Sequence, residues 1–185
     1  MTNTLRNFLH EPALIALNLF PILAVLGLLA VLTGNLFWAG SFAALIFHLL
    51  SLANLIKIEC RRDPLVPPDF GLLSEAMVAT GEYRLDLHIP YLIAILLVSA
   101  VFFLLGFKFK THVKLRIRIA AAVVMIGLFV GSMLTVYPSP AVYTRMIASV
   151  EGLSISNDPA VFDETGFLYC FLHNYKLYEV QMPEG

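Results

Sequence analysis

The chain has 185 residues, of which 59% are hydrophobic and 14% are charged, and its net charge is −1. Soluble domains carry about 25% charged residues, so this composition argues against a soluble globular protein. A nearly neutral chain also lacks the basic surface that nucleic-acid binding requires, so no nucleic-acid partner is expected. The charged residues are concentrated in short segments between long apolar runs, which predicts an integral membrane protein.

Four apolar runs contain no lysine, arginine, aspartate or glutamate. They are Ala13–Leu32, Leu36–Ile56, Ile89–Phe107 and Ile119–Val136. A bilayer core of about 30 Å requires about 20 helical residues, and barrel strands of about 10 residues are too short to explain such runs. The sequence therefore predicts an all-α membrane protein with four transmembrane helices. Residues 1–136 form its membrane domain and residues 137–185 an amphipathic tail.

The connections between these runs predict the topology. Thr33–Asn35 allows only a tight hairpin, whereas Lys108–Arg118 contains five basic residues and no acidic one. Basic loops stay in the cytoplasm, so this loop is predicted inside and both termini outside. The opposite orientation stays open because residues 57–88 also contain four basic residues, although acidic residues are interspersed among them.

Two amphipathic segments are predicted to lie on the membrane surface. In the first, Asp69 caps a helix that runs to about Thr80. In the second, a helix runs from Pro159 to Tyr178. Their apolar faces consist of Phe70, Leu73, Ala76 and Met77 in the first helix, and of Phe167, Leu168, Phe171, Leu172 and Tyr175 in the second.

The candidate binding site lies at the end of the second apolar run. If the helix continues past Ile56, Asn54, Lys57 and Arg61 share one face, at positions i, i+3 and i+7. An arginine at that height can bind a lipid phosphate through two hydrogen bonds, with Lys57 and Asn54 assisting. The alternative is that Lys57 and Arg61 merely extend towards water and headgroups.

Other polar residues within the apolar runs have simpler interpretations. His48 could be a functional residue, but a hydrogen bond between helices is the favoured interpretation, and the same holds for Asn18. Pro21 could kink the first helix. Cys60 and Cys170 both lie outside in the favoured topology, which allows a disulfide between them.

Three sets of residues resemble one family. The run Leu52–Asp69, with Asn54, Lys57, Arg61, Pro64-Leu65 and Pro68-Asp69, resembles the membrane part of bacterial lipoteichoic acid synthase-like proteins. Its opening pattern appears as Phe8, His10, Pro12 and Asn18, and its closing pattern as Gly166-Phe167-Leu168, Phe171-Leu172 and Asn174. Arg62 departs from the family pattern, which often has glycine at this position.

The resemblance implies a multi-pass protein of the bacterial cytoplasmic membrane with extracytoplasmic termini. Family members are phosphoglycerol transferases whose sulfatase-like catalytic domain, in the alkaline phosphatase superfamily, uses a divalent metal, usually manganese. That domain is expected beyond Gly185, so no catalytic residue and no metal ligand is predicted in this chain.

The expected function follows from this resemblance. The chain would anchor the transferase and present membrane lipids, an anionic phospholipid headgroup in particular, to the chain's own catalytic domain. The alternative is a non-enzymatic four-helix scaffold or partner subunit. A small transporter is less favoured because the third and fourth helices offer few polar residues beyond Ser99, Ser132 and Thr135.

Overall fold

The computed structural model describes residues 7–72, 89–109, 114–148 and 159–177. Every regular element in these ranges is a helix, which confirms the predicted all-α class. In chain order the elements are α1 (Pro12–Thr33), α2 (Leu36–Arg61), a 3-10 helix (Pro67–Leu72), α3 (Ile89–Lys108), α4 (Leu115–Thr135), α5 (Pro140–Ala148), α6 (Pro159–Thr165) and α7 (Phe167–Leu177).

Four of these helices are long and apolar enough to cross a membrane, so the chain is a membrane protein. The spans are Pro12–Thr33, Leu36–Glu59, Ile89–Lys108 and Arg116–Thr135. Their outward side chains include Leu104 and Val123, which are 66% and 65% exposed. Such a surface is unfavourable in water and ordinary in hydrocarbon.

The helix ends agree with the sequence to within about a turn. Helix α2 continues past Ile56 to Arg61, which is the condition under which the predicted polar face forms. Helix α4 begins at Leu115 and not at Ile119, so Arg116 and Arg118 lie in its first turn. Helix α1 continues through Pro21.

The chain divides into two compact units. The span unit contains Pro21–Leu52 and Tyr83–Val130, and the tail unit contains Met1–Phe20, Ala53–Glu82 and Gly131–Gly185. The residues predicted as a tail therefore form a unit together with the start of α1 and the segment that follows α2.

Asn35 organises one end of the span unit. Gly34, with a φ of 68°, makes the tight turn between α1 and α2. Asn35 then caps α2, because its side-chain oxygen accepts hydrogen bonds from Phe37 N at 2.9 Å and Trp38 N at 3.4 Å. Its amide nitrogen donates to Gly106 O at 2.8 Å and Phe109 O at 3.0 Å, at the end of α3.

Small residues bring α2 and α3 close together within the same unit. A Cβ atom at Gly106 would lie 2.0 Å from Trp38 Cδ1, so only glycine fits there. Trp38 Nε1 donates to Phe103 O at 3.1 Å, and Ser41 Oγ donates to Ser99 O at 2.7 Å. Close backbone approach of this kind is how helices associate in a membrane.

Among the described residues, His48 makes no hydrogen bond to another helix, in contrast to the interpretation that the sequence favoured. Its Nδ1 lies 2.7 Å from Ala44 O, one turn earlier on the same helix, and the side chain is exposed. Side chains on a helix point back towards its N-terminus, so the Ala44 carbonyl one turn earlier is within reach of the His48 ring. The ring of Tyr91 on α3 lies beside it, 6.5 Å between centroids.

The tail unit has a core of its own. Its buried residues come from the start of α1, the loop after α2, the end of α4 and helices α5 to α7. They are Leu14, Val66, Tyr137, Met146, Val161, Phe162, Tyr169 and Cys170. Segments that are far apart in the sequence therefore pack against one another here.

Candidate functional site

Lys57 is fully engaged with the loop that follows α2. Its Nζ atom lies 2.7 Å from Asp69 Oδ2 and donates to Pro64 O at 2.9 Å. The two side chains are only 15% and 20% exposed. Removing either partner of a pair that is largely shielded from water would leave the other charge uncompensated, which is costly, so this contact fixes the loop against the helix.

Backbone bonds complete this braced loop, residues 62–69. Leu65 N donates to Asn54 Oδ1 at 2.8 Å, and Val66 N donates to Asp69 Oδ2 at 2.7 Å. Both amides belong to buried residues, so each would be a buried N–H without a hydrogen-bond partner if its acceptor were absent. Asn54 and Lys57 are therefore brought together as predicted, and both hold the loop.

Asp69 does not cap a helix that starts after it. It is the third residue of the 3-10 helix Pro67–Leu72, and its carboxylate reaches back to Val66 N. This is the acidic half of a capping box. The helix begins at Pro67, three residues before the start at Phe70 that a cap at Asp69 predicts, because Asp69 acts from inside it. The predicted continuation to Thr80 lies outside the described residues.

Arg62 ends α2 in a left-handed conformation. Its φ is 57°, and its N–H donates to Ile58 O at 2.9 Å. A helix often ends in this way, usually with glycine at the left-handed position because a Cβ atom is unfavourable there. Arg62 carries a Cβ atom, so this conformation has a backbone cost.

Arg61 differs from the other two predicted site residues. It lies in the last turn of α2 and its side chain is exposed. In the part of the chain that the structure describes, the ion pair is the one between Lys57 and Asp69, and Arg61 takes no part in it. Of the predicted set, Arg61 is the side chain not engaged in bracing the loop.

Asn18 joins α1 to the C-terminal helices. Its amide nitrogen donates to Leu14 O and to Thr165 O, both at 2.9 Å, and its oxygen accepts a hydrogen bond from Tyr169 N at 3.1 Å. One side chain therefore provides hydrogen-bond partners for a carbonyl at the end of α6 and for an N–H at the start of α7. The interpretation of Asn18 as a residue that holds helices together is confirmed.

The predicted helix from Pro159 to Tyr178 is broken at Gly166, so that prediction was wrong in its continuity. Gly166 has a φ of 97°, and a Cβ atom there would lie 2.4 Å from the Asn18 amide. The helix breaks at this positive φ, and only glycine fits there because the Asn18 side chain occupies the space of a side chain at 166. The predicted apolar face still packs: the Phe171 ring contacts those of Phe167 and Phe70, with centroids 5.5 Å and 6.1 Å apart.

A cluster of tyrosines around His173 was not found from the sequence. His173 Nδ1 donates to Tyr137 O at 2.6 Å, and its ring stacks on Tyr143 at 3.9 Å. Burial lowers the pKa of His173 and raises that of Tyr137 to about 12. The Tyr169 hydroxyl is buried with no hydrogen-bond partner among the described residues. The cluster is therefore neutral around pH 7.

Cys170 is a free, buried thiol and not half of a disulfide. It lies 2.9 Å from Thr165 Oγ1. Burial raises the pKa of Cys170 to about 12, and the hydrogen bond with Thr165 offsets this only in part. Because the thiolate is the reactive form, Cys170 is chemically inert while the tail unit is folded.

Metal ligands do not gather in the described ranges: no group of three or more histidine, cysteine, aspartate or glutamate residues there could hold an ion. The chain matches no family model, no curated protein and no solved structure. The interpretation of the site therefore depends on its geometry.

Proposed function

We propose that the chain is the membrane domain of an extracytoplasmic phosphoglycerol transferase of the lipoteichoic acid synthase-like kind. It anchors the enzyme in the bacterial cytoplasmic membrane and presents an anionic phospholipid headgroup to a metal-dependent catalytic domain. One observation carries the proposal: the three segments with the resemblance pack into the same core. Phe8 and Leu14 come from the first segment, Val66 from the second, and Phe167 and Leu172 from the third.

The headgroup is assigned to Arg61. Asn54 and Lys57 are committed to the braced loop, and they fix the end of α2 from which Arg61 extends. An exposed guanidinium at the end of a transmembrane helix lies at the height of lipid phosphates and can donate two parallel hydrogen bonds to one of them. Asn54 and Lys57 assist by holding that position.

Photocrosslinking tests this assignment. Chain reconstituted in nanodiscs with a photoactivatable phosphatidylglycerol is compared with Arg61→Lys, in which a point charge replaces the bidentate fork. Arg62→Lys is the matched control, since it changes the adjacent cation. We expect Arg61→Lys to lower crosslinking at the Phe70 end of the loop and Arg62→Lys to leave it unchanged, with equal thermal stability. If both are silent, the alternative that Arg61 merely extends towards water and headgroups is the better account.

The proposed orientation places both termini outside the cell. It is supported by the basic segment Lys108–Arg118, which spans the end of α3 and the start of α4. Its exposed residues Lys108, Lys114 and Arg116 have no acidic neighbour in the sequence. Single cysteines at Thr111 and Ser154, in a background without Cys60 and Cys170, are exposed to a membrane-impermeant thiol reagent on whole cells. We expect labelling at 154 and none at 111, and the reverse pattern would refute the orientation.

A further inference from the structure

A groove lies in the span unit where α1 turns into α2. Its volume is about 220 Å³, and α4 forms its other wall. The walls are mainly apolar, with Val31, Leu36, Ile117 and Ala121 among them, and Arg118 lies at the polar end. This combination of an apolar channel and one cationic group resembles the shape and chemistry of a lipid.

Part of the Arg118 guanidinium is already used. Nε donates to Val31 O at 2.7 Å, and Nη2 donates to the same carbonyl and to Leu32 O at 2.7 Å. These bonds satisfy the last carbonyls of α1. Nη1 donates to no acceptor among the described residues, and a Cβ atom at Gly34 would lie 2.8 Å from it. Nη1 is therefore the part of the guanidinium that takes no part in the bonds to α1.

The helix ends around the groove leave a positive potential. The carbonyl ends of α1 and α3, which are the negative ends, are bonded by Arg118 and by the Asn35 amide. The positive end of α4 lies at the same place, whereas that of α2 is capped by the Asn35 side chain. Lys114 precedes α4, and its side chain cannot accept a hydrogen bond from the first turn.

The surrounding side chains add to this potential. Lys108, Lys114 and Arg116 are all exposed. The sequence contains no aspartate or glutamate from residue 87 to residue 150, and none from residue 12 to residue 58. No acidic side chain on α1, α3 or α4 therefore offsets these cations, and an anion is favoured here.

We infer that this groove binds an anionic phospholipid of the surrounding membrane. One acyl chain lies along Leu36, Ile117 and Ala121, and the phosphate accepts hydrogen bonds from Arg118 Nη1 within the field of the α4 N-terminus. A neutral lipid would not use the charge, and a free anion would not use the apolar walls. This site lies at the Leu36 end of α2 and does not depend on the function proposed for Arg61.

Native mass spectrometry of delipidated chain tests the inference. Phosphatidylglycerol and phosphatidylcholine with matched chains are added separately. Ala121→Phe fills the groove, whereas Ala120→Phe adds the same bulk on an exposed neighbouring position of α4. We expect the chain to bind phosphatidylglycerol in preference to phosphatidylcholine. Ala121→Phe should weaken the affinity for phosphatidylglycerol at least tenfold, and Ala120→Phe should leave that affinity unchanged.

A surface variant keeps the test independent of folding. Arg116→Gln removes one exposed cation and should weaken phosphatidylglycerol about fivefold, without changing phosphatidylcholine. Arg61→Lys should leave this lipid in place, which separates the groove from the proposed outer site. Equal binding of the two lipids, a silent Ala121→Phe, or displacement by millimolar inorganic phosphate would each overturn the inference.

Discussion

Removing the Asn18 amide should loosen the tail unit without unfolding the membrane helices. Asn18→Ala leaves the Thr165 carbonyl and the Tyr169 N–H without the partner that joins α6 and α7 to α1. Both residues are fully buried, so water does not replace the lost bonds while the unit stays closed. The perturbation therefore acts on the closed state of α6 and α7.

The expected size follows from these two groups. A buried polar group left without a partner costs about 1–3 kcal/mol, and hydrogen bonds between helices in membranes are worth up to about 1.7 kcal/mol. At about 1–2 kcal/mol for each group, Asn18→Ala lowers the free energy of opening by about 2–4 kcal/mol. Since 1.4 kcal/mol is tenfold, the open population should rise about 30- to 700-fold.

Cys170 reports this opening directly. It is 1% exposed and unreactive in the closed unit, so a thiol reagent modifies it only after local opening. The rate of modification is measured in a Cys60→Ser background for the parent chain, Asn18→Ala and Leu19→Ala. Leu19 is the next residue on α1 and is 44% exposed. The reasoning fails if Asn18→Ala does not change the rate, or if Leu19→Ala raises it equally.

Three further outcomes follow from the tail unit. Arg62→Gly should raise stability by up to about 1 kcal/mol, measured as the melting temperature, since relief of the left-handed cost of about 1–2 kcal/mol exceeds the added chain entropy. Lys57→Met and Asp69→Asn should each cost about 1–3 kcal/mol, and together less than their sum in a double-mutant cycle. Because burial depresses the pKa of His173, only the unfolded state takes up its proton just below pH 6.5. Stability should therefore be complete above that pH and fall as the pH is lowered through the interval, and His173→Gln should flatten this slope.

The four membrane helices could be predicted from the sequence because one constraint dominates them. In hydrocarbon the backbone must be satisfied within the helix, so length and apolar composition decide the element. Helix ends follow other rules. Lys114 precedes α4 although it is a cation and a poor cap, and the prediction that started this helix at Ile119 missed its first turn.

The contacts of the polar residues could be predicted only in part. The i, i+3, i+7 spacing correctly placed Asn54, Lys57 and Arg61 on one face of α2. It gave no information on Asp69 and Leu65, because those partners are brought to the helix by a loop. Gly166 carried a signal, since a glycine within an amphipathic segment is compatible with a break. That Asn18 would fill the space beside it depends on tertiary packing.

Three asparagines show one physical device at three places in the chain. Asn18 bonds the end of α6 and the start of α7, Asn35 caps α2 and bonds the end of α3, and Asn54 accepts the Leu65 N–H. Each carries a donor and an acceptor, so one side chain can satisfy the backbone where helices end. For a polar residue in an apolar chain, hydrogen bonding to backbone groups at helix ends is therefore the first role to examine, before a binding function is assigned. Asn54 and Lys57 are such partners, since they bond the backbone of the braced loop. Arg61, exposed one turn further along α2, is the residue of the predicted polar face that bonds no loop backbone among the described residues.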